Sequence, residues 1–136
     1  MLDLEQSGYT VIERLLHEDT VSRAQQAILH QIERKSGTRP DLDTFTGTTP
    51  LVHFLLFEDP VFEEILMNET MLALPSYLLV GQSLQLYSMT SHARGPENAN
   101  LNLQVDTPGP APLPQNSIVA NCNFALVDCT QHTGCV

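Results

Sequence analysis

The clearest pattern of apolar and polar positions lies between residues 17 and 37. Apolar side chains recur there at intervals of three and four residues, at Val21, Ala24, Ile28 and Ile32. This period places them on one face of a helix. Asp19 or Thr20 can cap the start of that helix, and Gly37 can end it. The pattern therefore predicts an amphipathic helix over most of this stretch.

Helical character returns after a loop rich in Thr, Gly and Pro at residues 36–50. A helix is predicted first at residues 51–59. Asp59 then precedes Pro60, an order typical of an N-cap followed by the first helical position. The predicted buried side of the helix that starts there consists of three residues, Val61, Ile65 and Leu66.

A last helix is predicted at residues 69–81, ending at Gly81. Pro75 lies inside this stretch. Because proline has no N–H to donate, it would kink or restart the helix.

After Gly81 the pattern changes to an alternation that is typical of strands. Three segments show it, at residues 82–92, 101–106 and 116–128. Residues 8–16 also suit a strand or an extended segment. The proline-rich residues 107–114 cannot form an interior strand, because proline removes backbone donors. Helices followed by strands predict the α+β class, with the strands forming the first part of a sheet.

Composition limits the classes of partner. With 136 residues, 42% of them hydrophobic, the chain can bury one modest core, so a single domain is predicted. Sixteen acidic residues against six basic ones give a formal net charge of −10. This balance argues against nucleic-acid and anionic-membrane binding, since both need clustered Lys and Arg. The predicted strands leave sheet edges uncovered, so self-association through those open edges is expected.

Location is predicted from what the sequence lacks. The first ten residues show neither the basic stretch nor the apolar run of a secretory leader. The longest apolar stretch, residues 71–80, is too short to span a bilayer. The three cysteines are an odd number crowded near residue 136, which favours a reduced compartment. A cytoplasmic protein is expected.

The cysteines also offer a candidate metal site. Cys129 and Cys135 flank His132, and two thiols with an imidazole could hold zinc. Their three-residue spacings lack a CxxC knuckle, however, and a fourth ligand is not evident. Cysteines without a metal, Cys122 among them, are the simpler interpretation.

One carboxylate stands at the end of the predicted strand at residues 101–106. Asp106 is followed by Thr107, Pro108 and Gly109, a sequence typical of a turn whose aspartate accepts a backbone N–H. Gln104 and Asp106 also share one side of the alternation, so both side chains can aim at one ligand. The residues alone leave open whether Asp106 starts a turn or binds a metal.

Three passages together resemble the phytanoyl-CoA dioxygenase family. They are GYTVIERLLHEDTVSRAQQAI at residues 8–28, EDPVFEEILMNETMLALPSYLLVG at residues 58–81, and LQVDTPGPAPLPQNSIVANCNFALVDCTQHTGC at residues 103–135. The resemblance implies a double-stranded β-helix, or jelly roll, with N-terminal helices packed against it. It also implies Fe(II) and 2-oxoglutarate as cofactors and a small-molecule substrate. Residues 1–136 would then form one partial domain, with its helical part at about 8–81 and its strand part at about 82–136.

The resemblance also assigns the metal site. The family holds iron with two histidines and one carboxylate, and the first two ligands form a His-x-Asp pair. Here Asp106 matches the carboxylate, and Gln104 stands in the place of the histidine. The second histidine, and the arginine that pairs with 2-oxoglutarate, are expected beyond residue 136.

Two functions follow from this comparison of residues. The first is a 2-oxoglutarate-dependent hydroxylase by family, truncated and inactive as this chain because one metal-ligand histidine is replaced. The alternative is a non-catalytic, degenerate relative that acts as a binding or interaction module. The open strand edges would supply the surface of such a module.

Overall fold

The fold is rich in helix. The computed structural model describes residues 2–39, 52, 54–79, 83–92, 106, 109, 112, 115–128 and 130. In these residues the α-helices are α1 (Leu2–Ser7), α2 (Glu18–Ser36), α3 (Pro60–Leu66) and α4 (Glu69–Leu78), and a short 3₁₀ helix spans Leu55–Phe57. No helix in this part of the chain has both the length and the apolar character needed to cross a membrane.

Helix α2 confirms the predicted amphipathic helix, but its cap differs from the prediction. The N-cap is His17, whose side chain accepts a hydrogen bond from the Asp19 N–H at 3.3 Å. The prediction of Asp19 or Thr20 was wrong, because the helix begins at Glu18 and both residues lie inside its first turn. Gly37 ends the helix as predicted, with a left-handed φ of 76° and its N–H donating to the Glu33 carbonyl.

The buried face of α2 was predicted in part. Ala24 and Ile32 are buried, whereas Val21 and Ile28 are only half-buried. Three further residues are buried although the pattern did not select them, Thr20, Leu29 and Gln31. Thr20 is buried because α3 lies on its side of the helix, where Glu64 accepts a hydrogen bond from the Thr20 hydroxyl at 2.7 Å.

The predicted helix at residues 51–59 was wrong. Val52 instead forms an isolated antiparallel bridge with Ser91, and the helical geometry seen in the described residues 52 and 54–59 is the 3₁₀ helix together with the start of the turn after it. Leu55 donates its N–H to the Met89 carbonyl at 3.1 Å. Between these contacts Phe54 adopts a left-handed conformation, with φ 59° and ψ 40°. Pairing with the segment around Met89 thus competes successfully with helix formation here.

Helix α3 begins as the sequence predicts. The Asp59 side chain accepts a hydrogen bond from the Val61 N–H at 2.9 Å, and Pro60 follows the cap. Val61 and Ile65 are buried as predicted, Leu66 is half-buried, and Phe62, which the pattern did not select, is also buried. The packing of α3 against α2 explains this wider apolar face.

Helix α4 confirms the last predicted helix up to its end. Asn68 caps it by accepting from the Met71 N–H at 3.1 Å. Pro75 lies inside the helix, which ends at Leu78; the predicted end at Gly81 lies outside the described residues. A proline in a helix interior costs about 3 kcal/mol relative to alanine, so α4 depends on contacts with the rest of the fold.

The predicted strands do not appear as paired strands in the described residues. Residues 9–16, 83–90 and 117–125 are neither helix nor strand. Most of the predicted strand at residues 101–106 lies outside the described residues. The α+β prediction is therefore confirmed for its helices, while the described residues do not show the β-helix.

One hydrophobic core joins α2, the 3₁₀ helix and α3. Its buried members are Ala24, Ile32, Val52, Leu55, Val61, Phe62 and Ile65. Half-buried apolar residues pack around them, among them Met89, Phe124 and Leu126. Burying each large apolar side chain contributes about 1.5–3 kcal/mol, so this cluster is the main stabilising feature of the described fold.

Candidate functional site

Asp106, the predicted metal ligand, is exposed and binds another side chain. The Asn121 side-chain amide donates a hydrogen bond to its Oδ2. Gln104, the residue predicted to stand in the histidine position, lies outside the described residues. The geometry of the Gln104–Asp106 pair thus stays a prediction.

Asn121 belongs to a segment without regular secondary structure, residues 117–126, that contacts α2. Phe124 and Leu126 pack against the hydrophobic core. The Leu126 carbonyl accepts a hydrogen bond from the Gln25 side chain of α2. Asp106 is therefore held, through Asn121, to a segment that is anchored on the helical core.

The pairing of Asn121 with Asp106 was not predicted from the sequence. Alternation places Asn121 and Asn123 on one side of the segment, and both are exposed as that parity predicts for polar residues. The alternation predicts the face on which Asn121 lies. It does not predict that its side chain contacts a residue fifteen positions earlier in the sequence. Phe124 packs against the core.

Met89 and Tyr87, in the segment that precedes residues 101–106, differ in their exposure to solvent. Met89 packs against the core, whereas Tyr87 is 99% exposed and lines no interior pocket. Cys122 is an exposed free thiol, and desolvation raises its pKa, which keeps it protonated at neutral pH. Cys129, His132 and Cys135, the candidate zinc ligands, lie outside the described residues.

The described histidines lie at separate places. His17 caps α2, His30 is exposed on the same helix, and His92 is exposed just after the bridge at Ser91. No group of three or more His, Cys, Asp or Glu side chains in the described part of the chain is arranged to hold a metal ion.

A surface cavity of about 270 Å³ lies at the other end of the chain. Its lining residues all come from α1 and the segment after it, Asp3, Ser7, Tyr9, Thr10 and Val11. Asp106 is not among them, so the cavity and the predicted metal position do not form one site.

A family model described as phytanoyl-CoA dioxygenase (PhyH) matches residues 4–136. The match includes the helical core, Asp106 and the segment that carries Asn121. The chain belongs to the phytanoyl-CoA dioxygenase family. Comparison with curated proteins and with solved structures returns no match.

Phytanoyl-CoA dioxygenases generally depend on Fe(II) and 2-oxoglutarate and act on small molecules. An iron site of this family needs two histidines and one carboxylate on one face of the metal. Among the described residues, Asp106 is the one residue that the resemblance assigns to this site, and its Oδ2 accepts a hydrogen bond from Asn121.

Proposed function

We propose that this chain is a phytanoyl-CoA dioxygenase-like domain that does not catalyse hydroxylation by itself. The family reaction is the Fe(II)-dependent hydroxylation of a small molecule, coupled to decarboxylation of 2-oxoglutarate. The proposal assigns the loss of this reaction to position 104, where a neutral glutamine oxygen replaces an imidazole. In this proposal residues 1–136 are one partial, cytoplasmic domain whose strand part belongs to a jelly roll.

The observation that carries the proposal is the surroundings of Asp106. In the described part of the chain no group of three or more His, Cys, Asp or Glu side chains is arranged to hold a metal ion, and the Asp106 Oδ2 accepts a hydrogen bond from the Asn121 amide. The family match supports the jelly roll and the substrate class.

The first experiment restores the missing ligand type. Gln104→His recreates the His-x-Asp pair, and Asn102→His is the matched control, since it adds the same imidazole two residues earlier in the alternation. Fe(II) binding is measured by anaerobic titration, and 2-oxoglutarate is then added to look for a metal-to-ligand charge-transfer band. We expect no band from the natural sequence, and tighter Fe(II) binding by Gln104→His than by Asn102→His.

Two results would contradict the proposal. A charge-transfer band from the natural sequence would show a working metal site. Equal Fe(II) affinity of the two histidine variants would show that the residue at position 104 is not the cause of the proposed loss of the metal site. Adding Asp106→Ala to Gln104→His is expected to abolish the gained affinity for Fe(II), because the new histidine then has no carboxylate ligand beside it. A non-catalytic binding module, the alternative function, predicts no Fe(II) binding by any of these variants.

A further inference from the structure

We infer that residues 83–88 form an open strand edge through which two copies of this chain pair. This edge segment has the sequence SLQLYS. Open strand edges predict self-association in general, whereas this edge segment predicts one antiparallel register of pairing. The pairing goes beyond the proposed function and does not depend on the state of the iron site.

The backbone of the edge segment makes no hydrogen bond in the described part of the chain. The residues that follow it do make such bonds. The Ser91 N–H donates to the Val52 carbonyl at 3.1 Å, and the Met89 carbonyl accepts from the Leu55 N–H at 3.1 Å. Val52 and Ser91 form an antiparallel bridge. The edge segment is therefore the unpaired continuation of a stretch that already pairs in the manner of a strand.

The side chains of the edge segment are all exposed. Leu84 is 38% exposed, Leu86 45% and Tyr87 99%. The alternation places the two leucines on one side, and Gln85 and Tyr87 on the other. Native sheets protect their edges with charged residues or proline, and the edge segment contains neither. An exposed apolar edge of this kind is a template for pairing with another strand.

The distribution of charge favours a second copy of this chain as the partner. The net charge of −10 makes two copies repel each other wherever their acidic surfaces meet. Residues 70–93 contain no Asp, Glu, Lys or Arg, so the paired segments themselves bring no like charges together. The same neutrality gives the edge segment no charge with which it could select a basic or an acidic partner.

The sequence of the edge segment is self-complementary in one antiparallel register. When Gln85 lies opposite Gln85 of a second copy, Leu84 of each copy lies opposite Leu86 of the other. Opposite residues of an antiparallel pair point to the same face, so the leucines of both copies meet on one face. A two-fold axis at Gln85 gives the closed symmetry that is commonest among homodimers.

The first test measures the strength of the dimer by sedimentation equilibrium over a concentration series. The paired segments are short, so we expect a weak dimer that forms reversibly at high protein concentration. Leu86→Lys should raise the dissociation constant about tenfold, because the two-fold axis makes one substitution remove two cross-strand leucine pairs. Circular dichroism at 222 nm checks that each variant keeps its helices.

Phe57→Lys is the matched control for Leu86→Lys. It adds the same charge at another exposed apolar side chain, since Phe57 is 84% exposed and lies outside the edge segment. It should leave the dissociation constant unchanged. A metal chelator in every sample keeps the result separate from the titration with Fe(II).

The second test determines the register by disulfide formation. Cys122, Cys129 and Cys135 are replaced by serine, and one new cysteine is introduced. Gln85→Cys should form a disulfide-linked dimer under mild oxidation, because the two-fold axis places the two cysteines opposite each other. Ser83→Cys lies on the same side of the alternation, but its two copies are separated by roughly 14 Å along the strands, too far for a disulfide.

Three results would overturn the pairing of two copies through residues 83–88. A chain that stays monomeric at every concentration would leave the edge segment to a partner other than a second copy. A dimer that Phe57→Lys weakens as much as Leu86→Lys would place the interface elsewhere. Equal disulfide formation by Gln85→Cys and Ser83→Cys would refute the register with Gln85 on the two-fold axis.

Discussion

Arg23 of α2 is the residue that joins the first long helix to α3 by charge. Its Nη2 lies 2.6 Å from Glu64 Oε2, and its Nε lies 2.9 Å from Asp19 Oδ2. Thr20 donates to the other oxygen of the Glu64 carboxylate. The hydrogen bond from Arg23, followed by that from Thr20, lowers the pKa of Glu64. Each ion pair is about half exposed, so solvent screens it and its contribution is small.

The lowered pKa of Glu64 predicts a pH-dependent stability. A carboxyl group whose folded pKa lies below its ordinary value of 4.5 stabilises the folded state above that pH. This stabilisation is lost as the pH falls through the folded pKa. Glu64→Gln should therefore lower the urea midpoint at pH 7, and the difference from the natural protein should shrink as the pH falls below 4.5 and through the folded pKa.

The neighbouring residue supplies the control for that prediction. Glu63 is exposed on the same helix and makes no ion pair in the described part of the chain. Glu63→Gln should change the midpoint at pH 7 less than Glu64→Gln does. If the two variants lose the same stability at pH 7, the contacts of Glu64 with Arg23 and Thr20 contribute nothing specific.

Some functional and capping residues could be predicted from the sequence, and others could not. Asp106 was predicted as a candidate from its type and its place in the alternation, and the family match includes it. Its partner Asn121 could not be predicted, because that contact depends on where another segment lies. The cap His17 is a local contact with the Asp19 N–H, and it was missed because histidine is a weaker cap signal than the aspartate and threonine that follow.

Among the helices, α3 is the one whose start is most fully determined by local sequence. Asp59 accepts from the Val61 N–H, and Pro60 has no N–H that would need a partner. These two residues determine the start of the helix without any contact to another segment, which is why the start of α3 was predicted correctly. The helix predicted at residues 51–59 lacked such a cap, and pairing of Val52 with Ser91 replaced it.

The cap of α3 gives a prediction at the scale of the element. Asp59→Ala should lower the free energy of unfolding by about 1 kcal/mol, because it leaves a helix N–H without its side-chain acceptor. Asp59→Asn should retain most of the stability, since the amide oxygen can accept the same bond. Urea denaturation followed at 222 nm measures both. An asparagine variant as unstable as the alanine variant would point to the charge of Asp59 and not to its cap.

At the scale of the whole molecule, the helical core carries the stability. Phe62, which belongs to this core, is 2% exposed, whereas Phe57, five residues earlier, is 84% exposed. Phe62→Ala should destabilise the fold by about 3–5 kcal/mol, since it removes a buried ring and leaves a cavity. Phe57→Ala should change the free energy of unfolding by less than about 0.5 kcal/mol.

A loss of that size can unfold a small domain outright. Phe62→Leu keeps much of the apolar volume and should give an intermediate, measurable loss in the same urea titration. A Phe57→Ala variant as unstable as Phe62→Ala would contradict the position of the core. It would mean that Phe57 is covered in solution.

The architecture was predictable only as far as each segment determines its own conformation. Helices form their hydrogen bonds within the segment, so the period of α2 and the cap of α3 were sufficient. A strand needs a partner segment, and alternation at residues 82–92 and 116–128 gives the two faces without naming that partner. The jelly roll therefore came from the family resemblance and not from the pattern.

The left-handed backbone at Phe54 affects which substitutions the protein tolerates. Val52 and Leu55 on either side are almost fully buried, and their burial determines the path of the chain between them. A residue with a Cβ held in this conformation costs roughly 1–2 kcal/mol. Exchanging the aromatic ring for another bulky group would leave that cost in place. Glycine or asparagine would relieve it, which makes position 54 a natural target for engineering a more stable protein.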